Sequence, residues 1–185
     1  MALPASILAI GAFPCAGSRE TIVAALAAEQ QRPLVLPEGV TVERVASPPQ
    51  VDDVLRVQEA VWGTRLSAWL RASLLRDLES LGTHAIFLVR VGREPAASAW
   101  VVTPPGSPIA HLFGGTVSAP HRGRGLYSAL LATRAQAART AGARWLLADA
   151  NENSRPVLER AGFAALTTRT ELVYGGEVPD QPLPA

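Results

Sequence analysis

The sequence contains no lysine, since all 17 of its basic residues are arginine, and 16 acidic residues leave a formal net charge of +1. A charge this close to zero, without a basic or acidic block, indicates neither nucleic acid nor an anionic membrane as a partner. The single cysteine, Cys15, excludes a disulfide framework and a cysteine-rich metal site. The three histidines show no metal-ligand spacing, so we predict no metal site.

Long apolar runs are also absent. No stretch reaches the roughly 18 apolar residues that a membrane-spanning helix needs. The apolar N-terminus lacks a basic leading region and is interrupted by Pro4, which is untypical of a signal peptide. We therefore expect a cytoplasmic protein.

The length of 185 residues suits one domain with an extension. We predict an N-terminal extension over residues 1–38 with one helix, because apolar residues recur at helical spacing from Ile22 to Ala27 after Ser18. Such an extension could pair two copies into a homodimer. The main domain is predicted over residues 39–175, and residues 176–185 are predicted to form a flexible tail.

From Gly39 onward, strand patterns alternate with helical patterns. Alternating apolar residues over 40–45 indicate a strand, and two amphipathic helices follow before a hairpin over 84–103. A Gly-containing strand over 109–117, an Ala-rich helix, a strand over 144–150, a short helix and a last strand complete the chain. The predicted fold class is α/β (α+β), with a mixed sheet flanked by helices on both faces.

The stretch "VSAPHRGRGLYSALL" (117–131) carries the clearest chemistry. A strand ends near Val117, and a helix begins near Gly125. The first four N–H groups of a helix have no internal partner, so they form an anion site together with the helix dipole. Arg122 and Arg124 add positive charge, and the intervening glycines allow the backbone to approach a phosphate closely. A disordered RNA-binding segment and an ordinary loop are the alternative interpretations.

This stretch and a second one, "LLADANENSRPVLERAGF" (146–163), resemble the two signatures of the GNAT superfamily of acetyl-coenzyme A-dependent N-acetyltransferases. The first matches the pattern R/Q-x-x-G-x-G/A at the start of a long helix. The second matches a strand, an Asn and a short helix that ends in Gly-Phe. The resemblance covers about residues 39–174 and implies a mostly antiparallel sheet of six to seven strands.

The resemblance implies a set of residues that bind acetyl-coenzyme A. The backbone amides of the Gly-rich stretch would hold the pyrophosphate, and the strand before it would pair with the pantetheine arm. Asn151 would contact that arm beside a split between two parallel strands, and the hydroxyl of Ser154 could lie near the thiol. The implied cofactor-binding residues are Val117, Ala119, Arg122, Gly123, Arg124, Gly125, Leu126, Tyr127, Asn151 and Ser154.

Two positions depart from the superfamily pattern. Tyr127 stands where the pattern has a small residue, so its ring must point away from the phosphates or stack at the helix start. Leu158 stands where many members carry a tyrosine that protonates the leaving thiolate. A leucine cannot do this, so another acid, water or no chemistry at all has to be considered.

The candidate catalytic residues are His111 and Ser154. His111 lies on the strand that leads into the first signature and could be a general base or a packed histidine. Ser154 could act at the thiol or cap the short helix. The adjacent Gly114 and Gly115 suggest a bulge or a simple bend in the same strand.

The leading hypothesis is therefore an enzyme, an N-acetyltransferase that moves an acetyl group from acetyl-coenzyme A to an amine. The amine, a small molecule or a peptide, cannot be identified from these residues. A non-catalytic acyl-coenzyme A-binding sensor or partner module is the alternative, because of Leu158. A phosphate-binding domain for another nucleotide is the third hypothesis.

Overall fold

The computed structural model describes residues 18–27, 36–63, 67–79 and 82–172. The strands in these residues are β1 (Ser18–Ala27), β2 (Val40–Arg44), β3 (His84–Val91), β4 (Glu94–Val102), β5 (Ile109–Val117), β6 (Trp145–Ala150) and β7 (Ala164–Leu172). The helices are α1 (Pro48–Trp62), α2 (Ser67–Glu79), α3 (Leu126–Thr140) and α4 (Arg155–Arg160), with a short 3-10 turn at Ala119–His121.

The strands form one mixed sheet in the order β2-β3-β4-β5-β6-β1-β7. Every neighbouring pair is antiparallel except β5 and β6, which are parallel. Parallel neighbours need a long crossover connection, and α3 lies in the one that joins β5 to β6. The predicted fold class, a mixed and mostly antiparallel sheet with flanking helices, is confirmed.

Helices cover both faces of the sheet, as predicted. Strand β3 illustrates the division, because its residues alternate between two separate apolar clusters. Phe87 and Val89 belong to the larger cluster, which includes the buried face of α3 and Leu158 of α4. Ile86 and Leu88 belong to the cluster that contains the buried faces of α1 and α2.

The helix predicted in the N-terminal extension is wrong. Residues Ser18–Ala27 form strand β1, which is antiparallel to both of its neighbours, β6 and β7. A short apolar run does not distinguish a strand from a buried helix by its periodicity alone. The pairing with β6 and β7 decides the conformation here, because partners on both sides satisfy the backbone groups of β1.

Other predictions about the chain ends stay predictions. The predicted tail at 176–185 lies outside the described residues, and so does most of residues 1–38. The limits of the predicted main domain are likewise untested. None of the described helices is both long enough and apolar enough to cross a membrane.

Candidate functional site

The parallel strands β5 and β6 separate partway along their length. Their pairing runs from Ile109 opposite Trp145 to Leu112 opposite Ala148. Both strands continue beyond that point, β5 to Val117 and β6 to Ala150. In the described structure, the edge of β5 that faces β6 is therefore open from residue 113 onward, and a cleft lies between the two strands.

A β-bulge lies in β5 beside this cleft. Trp100 of β4 is opposite Phe113 and Ser98 is opposite Thr116, so Gly114 and Gly115 together face only one residue of β4. A bulge of this kind bends its strand and increases the local twist. The bulge interpretation of the glycine pair is confirmed.

The backbone of Val117 presents hydrogen-bonding groups to the cleft. The N–H of Ser118 donates to the carbonyl of Ala96 on the β4 side, at 2.9 Å. Because hydrogen-bonding directions alternate along a strand, the groups of Val117 point the other way. The Val117 carbonyl accepts from Arg122 Nε at 3.3 Å, whereas the carbonyl of Ala119 accepts from the Arg122 amide within the 3-10 turn.

The Gly-rich stretch forms the open N-terminus of α3. Gly125 is the residue before the helix and has φ +76°, a conformation that favours glycine. The first helical bond runs from the amide of Ala129 to the carbonyl of Gly125, so the preceding amides have no partner within the helix. Arg122 and Arg124 are exposed there, and a Cβ at Gly123 or Gly125 would meet nothing within 4 Å. The geometry and the charge of this helix end suit an anion such as a phosphate.

Arg124 is held by a buried histidine. Its Nη1 lies 3.2 Å from His121 Nδ1, and a guanidinium can only donate, so Nδ1 accepts. The other ring nitrogen, Nε2, then carries the proton in the neutral ring, and it lies 3.4 Å from Glu94 Oε2. His121 therefore orients one of the two arginines of the anion site.

Asn151 and Ser154 meet in the turn that follows β6. Asn151 Oδ1 accepts the amides of Asn153 at 3.1 Å and Ser154 at 3.0 Å. The Ser154 hydroxyl accepts the amide of Asn151 at 3.0 Å and forms no cap bond to α4. Both side chains thus stabilise the turn at the end of the cleft. Leu158 follows one helical turn later, and its side chain is in the core with 1% exposed.

His111 lies on the face of β5 opposite to Ala110 and Leu112, which pack with α3. This is the face of the sheet that carries α1 and α2. Its ring stacks on Phe113, with centroids 6.2 Å apart and planes 10° from parallel. His111 is partly buried, while Phe113 is 43% exposed. The imidazole thus lies next to the start of the cleft, on the α1–α2 side of the sheet.

A hydrogen-bond network that the sequence did not predict ties α1 to the bulge. Buried Gln58 donates through Nε2 to Ser98 Oγ and to the Gly114 carbonyl, each at 2.9 Å. Its Oε1 accepts from Thr116 Oγ1 at 3.1 Å, and that hydroxyl accepts from Trp62 Nε1 at 3.0 Å. The only sequence signal is the position of Gln58 on the apolar face of α1.

Arg134 was also missed, although it falls on the apolar face of α3. It is 2% exposed, and its Nη1 donates to the Phe113 carbonyl at 3.3 Å. Its guanidinium lies 5.9 Å from the ring centroid of Tyr127. That ring points inward, because its Cε2 lies only 2.9 Å from where a Cβ of Gly115 would be. The Tyr127 ring therefore points away from the open helix end, which is one of the two orientations expected.

Burial lowers the pKa of the Arg134 guanidinium, and the neighbouring Tyr127 partly opposes this shift. An arginine nevertheless keeps its proton inside a protein. The described residues thus contain a buried cation beside the cleft. They contain no cluster of three or more side chains that could hold a metal ion.

Solved structures with the same fold are similar to this chain at low sequence identity. A GCN5-related N-acetyltransferase from Kribbella flavida is 18% identical with a TM-score of 0.65, and the match covers 88% of this chain and 62% of that one. Glucosamine-6-phosphate N-acetyltransferase from Arabidopsis thaliana is 11% identical with a TM-score of 0.62, with coverage of 75% and 100%. AAC(6')-Iy, solved with the bisubstrate analogue CoA-S-monomethyl-acetylneamine, is 15% identical with a TM-score of 0.62, with coverage of 76% and 99%.

These likenesses establish the fold alone, and the chain spans only about three fifths of the length of the Kribbella protein. No curated protein matches the chain in sequence. The family model described as "Acetyltransferase (GNAT) family" matches residues 53–163, which is more than half of the chain and includes the cleft, the bulge and the start of α3. The chain belongs to the GNAT family of acetyltransferases.

Proposed function

We propose that the chain is an acyltransferase that binds acetyl-coenzyme A between β5 and β6 and passes the acetyl group directly to an amine. The observation that carries the proposal is the open edge of β5, which leads from the bulge to the N-terminus of α3. An extended amide-containing arm can pair with such an edge like an added strand. The exposed Arg122 and Arg124 then lie where the pyrophosphate would follow.

Each part of the site has a role in this proposal. The amides of residues 122–127 would bind the pyrophosphate, and Val117, with Ala119 beyond it, would hold the arm. The turn built by Asn151 and Ser154 would fix the end of β6 beside the thiol. When bound, acetyl-coenzyme A supplies an activated thioester.

The chain's own residues would then orient the amine and manage its proton. The face of β5 with His111 and exposed Phe113 is where we propose that the amine approaches. In the transfer, the carbon–nitrogen bond forms and the carbon–sulfur bond breaks. The amine's proton would pass to His111 or water, and the sulfur would take one from water. Orientation alone can supply roughly 7–11 kcal/mol of the barrier, so a strong base is not essential.

Calorimetry with coenzyme A and acetyl-coenzyme A tests the binding step. We expect Arg124→Gln to weaken binding at least about tenfold, because it removes a charged phosphate donor. Arg144→Gln is the matched control, since this exposed arginine precedes β6 at the end opposite the cleft. No binding at millimolar coenzyme A, or ATP binding in preference to it, would contradict the proposal.

A non-catalytic acyl-coenzyme A-binding module is the second candidate. The observation in its favour is Leu158, which fills the core where a hydroxyl would be needed. A thiol-release assay with a panel of primary amines separates the two functions. Binding without turnover across the panel supports the binding module, whereas turnover with any amine supports the enzyme.

A further inference from the structure

Arg134 is a buried cation with an unsatisfied donor. Its Nε donates to the Leu130 carbonyl of its own helix at 3.2 Å, and Nη1 reaches the Phe113 carbonyl at 3.3 Å. Both bonds are at the long end of the usual range. Nη2 is buried and has no hydrogen-bond partner.

No carboxylate compensates this charge within the described part of the chain. The ion pairs there involve other arginines and two histidines. A buried and unpaired charge is strongly unfavourable, and natural proteins almost always pair such groups. The Tyr127 side chain offsets part of this cost, both through its ring and through a hydrogen bond that favours the charged guanidinium. Within the described residues, this cation therefore has no anionic partner, and one of its donors is unpaired.

The free donor lies beside the bulge of β5. Nη2 lies 3.5 Å from where a Cβ of Gly115 would be, so it is directly behind the bulge on the side of α3. The β5–β6 pairing has already ended at Leu112, which leaves a gap between the strands at this level. The unpaired donor and the unpaired stretch of β5 therefore lie at the same level of the sheet.

We infer that Arg134 binds a carboxylate at the far end of the acyl group, so that the preferred donor is a coenzyme A thioester of a dicarboxylic acid. The inference rests on the proposed function, and it replaces the acetyl donor by a longer acyl donor with a terminal carboxylate. A carboxylate accepts two parallel hydrogen bonds from a guanidinium and neutralises it. An acetyl or another apolar acyl group leaves Nη2 unpaired.

Binding of four ligands by calorimetry tests this inference. Succinyl-coenzyme A and butyryl-coenzyme A have acyl chains of the same length and differ in the terminal carboxylate. Acetyl-coenzyme A and free coenzyme A complete the set. We expect the native chain to bind the succinyl thioester at least about tenfold more tightly than the butyryl thioester, as one charge-assisted pair provides.

Arg134→Met should bring the succinyl-to-butyryl ratio to about one and leave the affinity for free coenzyme A unchanged. Arg139→Met, on the same helix but only partly buried, is the matched control and should retain the preference. Because an apolar side chain replaces an unpaired buried cation, Arg134→Met should melt no lower than the native chain. A purely structural arginine predicts instead a lower melting temperature and equal weakening for all ligands.

The failure of this inference is distinguishable from the failure of the proposed function. If the native chain binds coenzyme A but favours neither thioester, or if Arg134→Met keeps the preference, the carboxylate subsite is wrong and the proposed function stands. If coenzyme A itself does not bind, both proposals are wrong. The ligand preference is measured on the native chain, so this part of the test holds even if a variant does not fold.

Discussion

At the scale of single residues, the two adjacent glycines of β5 serve different purposes. Gly114 has φ +59°, and a Cβ there would lie 1.9 Å from Cζ3 of Trp100. Gly115 instead leaves room for the ring of Tyr127, whose Cε2 is 2.9 Å from its Cβ position. The bulge thus needs Gly114 for both its backbone conformation and its close packing. It needs Gly115 for close packing alone.

Gly114→Ala should destabilise the fold by about 3 kcal/mol or more, because backbone strain adds to a steric clash with an indole ring. Gly106→Ala is the control, since Gly106 also has a positive φ but a Cβ there meets nothing within 4 Å. It should cost only about 1–2 kcal/mol. Urea unfolding measures both, and equal costs would show that the clash with Trp100 is relieved.

His111→Ala should lower kcat at least about tenfold if His111 is the general base. His84→Ala is the control, because His84 is a partly buried histidine of β3 that hydrogen-bonds Thr83. A kcat of His111→Ala no lower than that of His84→Ala would contradict a role for His111 as the base.

At the scale of elements, a single glutamine joins α1 to the sheet. Gln58 bonds two hydroxyl groups and the carbonyl of Gly114, so it links α1 to β4 and to the bulge of β5 together. Buried polar groups need partners, and this network gives each group at least one. The position of α1 relative to the cleft therefore depends on these bonds as well as on apolar packing.

Gln58→Met should destabilise the protein by about 2–4 kcal/mol, because it leaves Ser98 and the Gly114 carbonyl without these partners. Gln136→Met, an exposed site on α3, should change the free energy of unfolding by less than about 0.5 kcal/mol. Denaturant titration of both variants provides the measurement. A cost at Gln58 no larger than at Gln136 would contradict the proposed linkage.

The turn after β6 shows how far an element can be predicted from sequence. The motif brought Asn151 and Ser154 together correctly, since their side chains bond to each other's backbone. Ser154 does occupy the N-cap position of α4, but its hydroxyl makes no cap bond and instead bonds Asn151. A sequence pattern predicts which residues share a turn, but the choice between competing local bonds depends on its final geometry.

At the scale of the whole molecule, the N-terminal segment joins the sheet instead of packing on it as a helix. Strand β1 pairs with β6 from Ile22 to Ala27 and with β7 from Ser18 to Ala25. It thereby links the last strand to the parallel pair that forms the cleft. Pairing of two copies through the N-terminal extension stays a prediction.

Ala25→Pro should destabilise the fold by about 3 kcal/mol or more, because a central strand loses a ladder hydrogen bond. Ala25 is opposite both Leu147 and Ala164. Glu38→Pro is the control, as Glu38 follows Pro37 in a turn closed by the Val40 amide and should tolerate proline within about 1 kcal/mol. Equal melting temperatures for the two variants would argue against a central β1.

The sequence by itself determined the family and the order of elements from β2 onward, whereas it left a bulge and a simple bend open at Gly114 and Gly115. These features depend on local conformational preferences and on short spacings between residues. They can therefore be predicted without the contacts between distant parts of the chain. The tertiary structure decided the conformation of β1, the network of Gln58 and the position of Arg134 behind Gly115. Each of these depends on partners that are far away in sequence. Only the assembled sheet brings a strand or a buried polar side chain next to its hydrogen-bond partners.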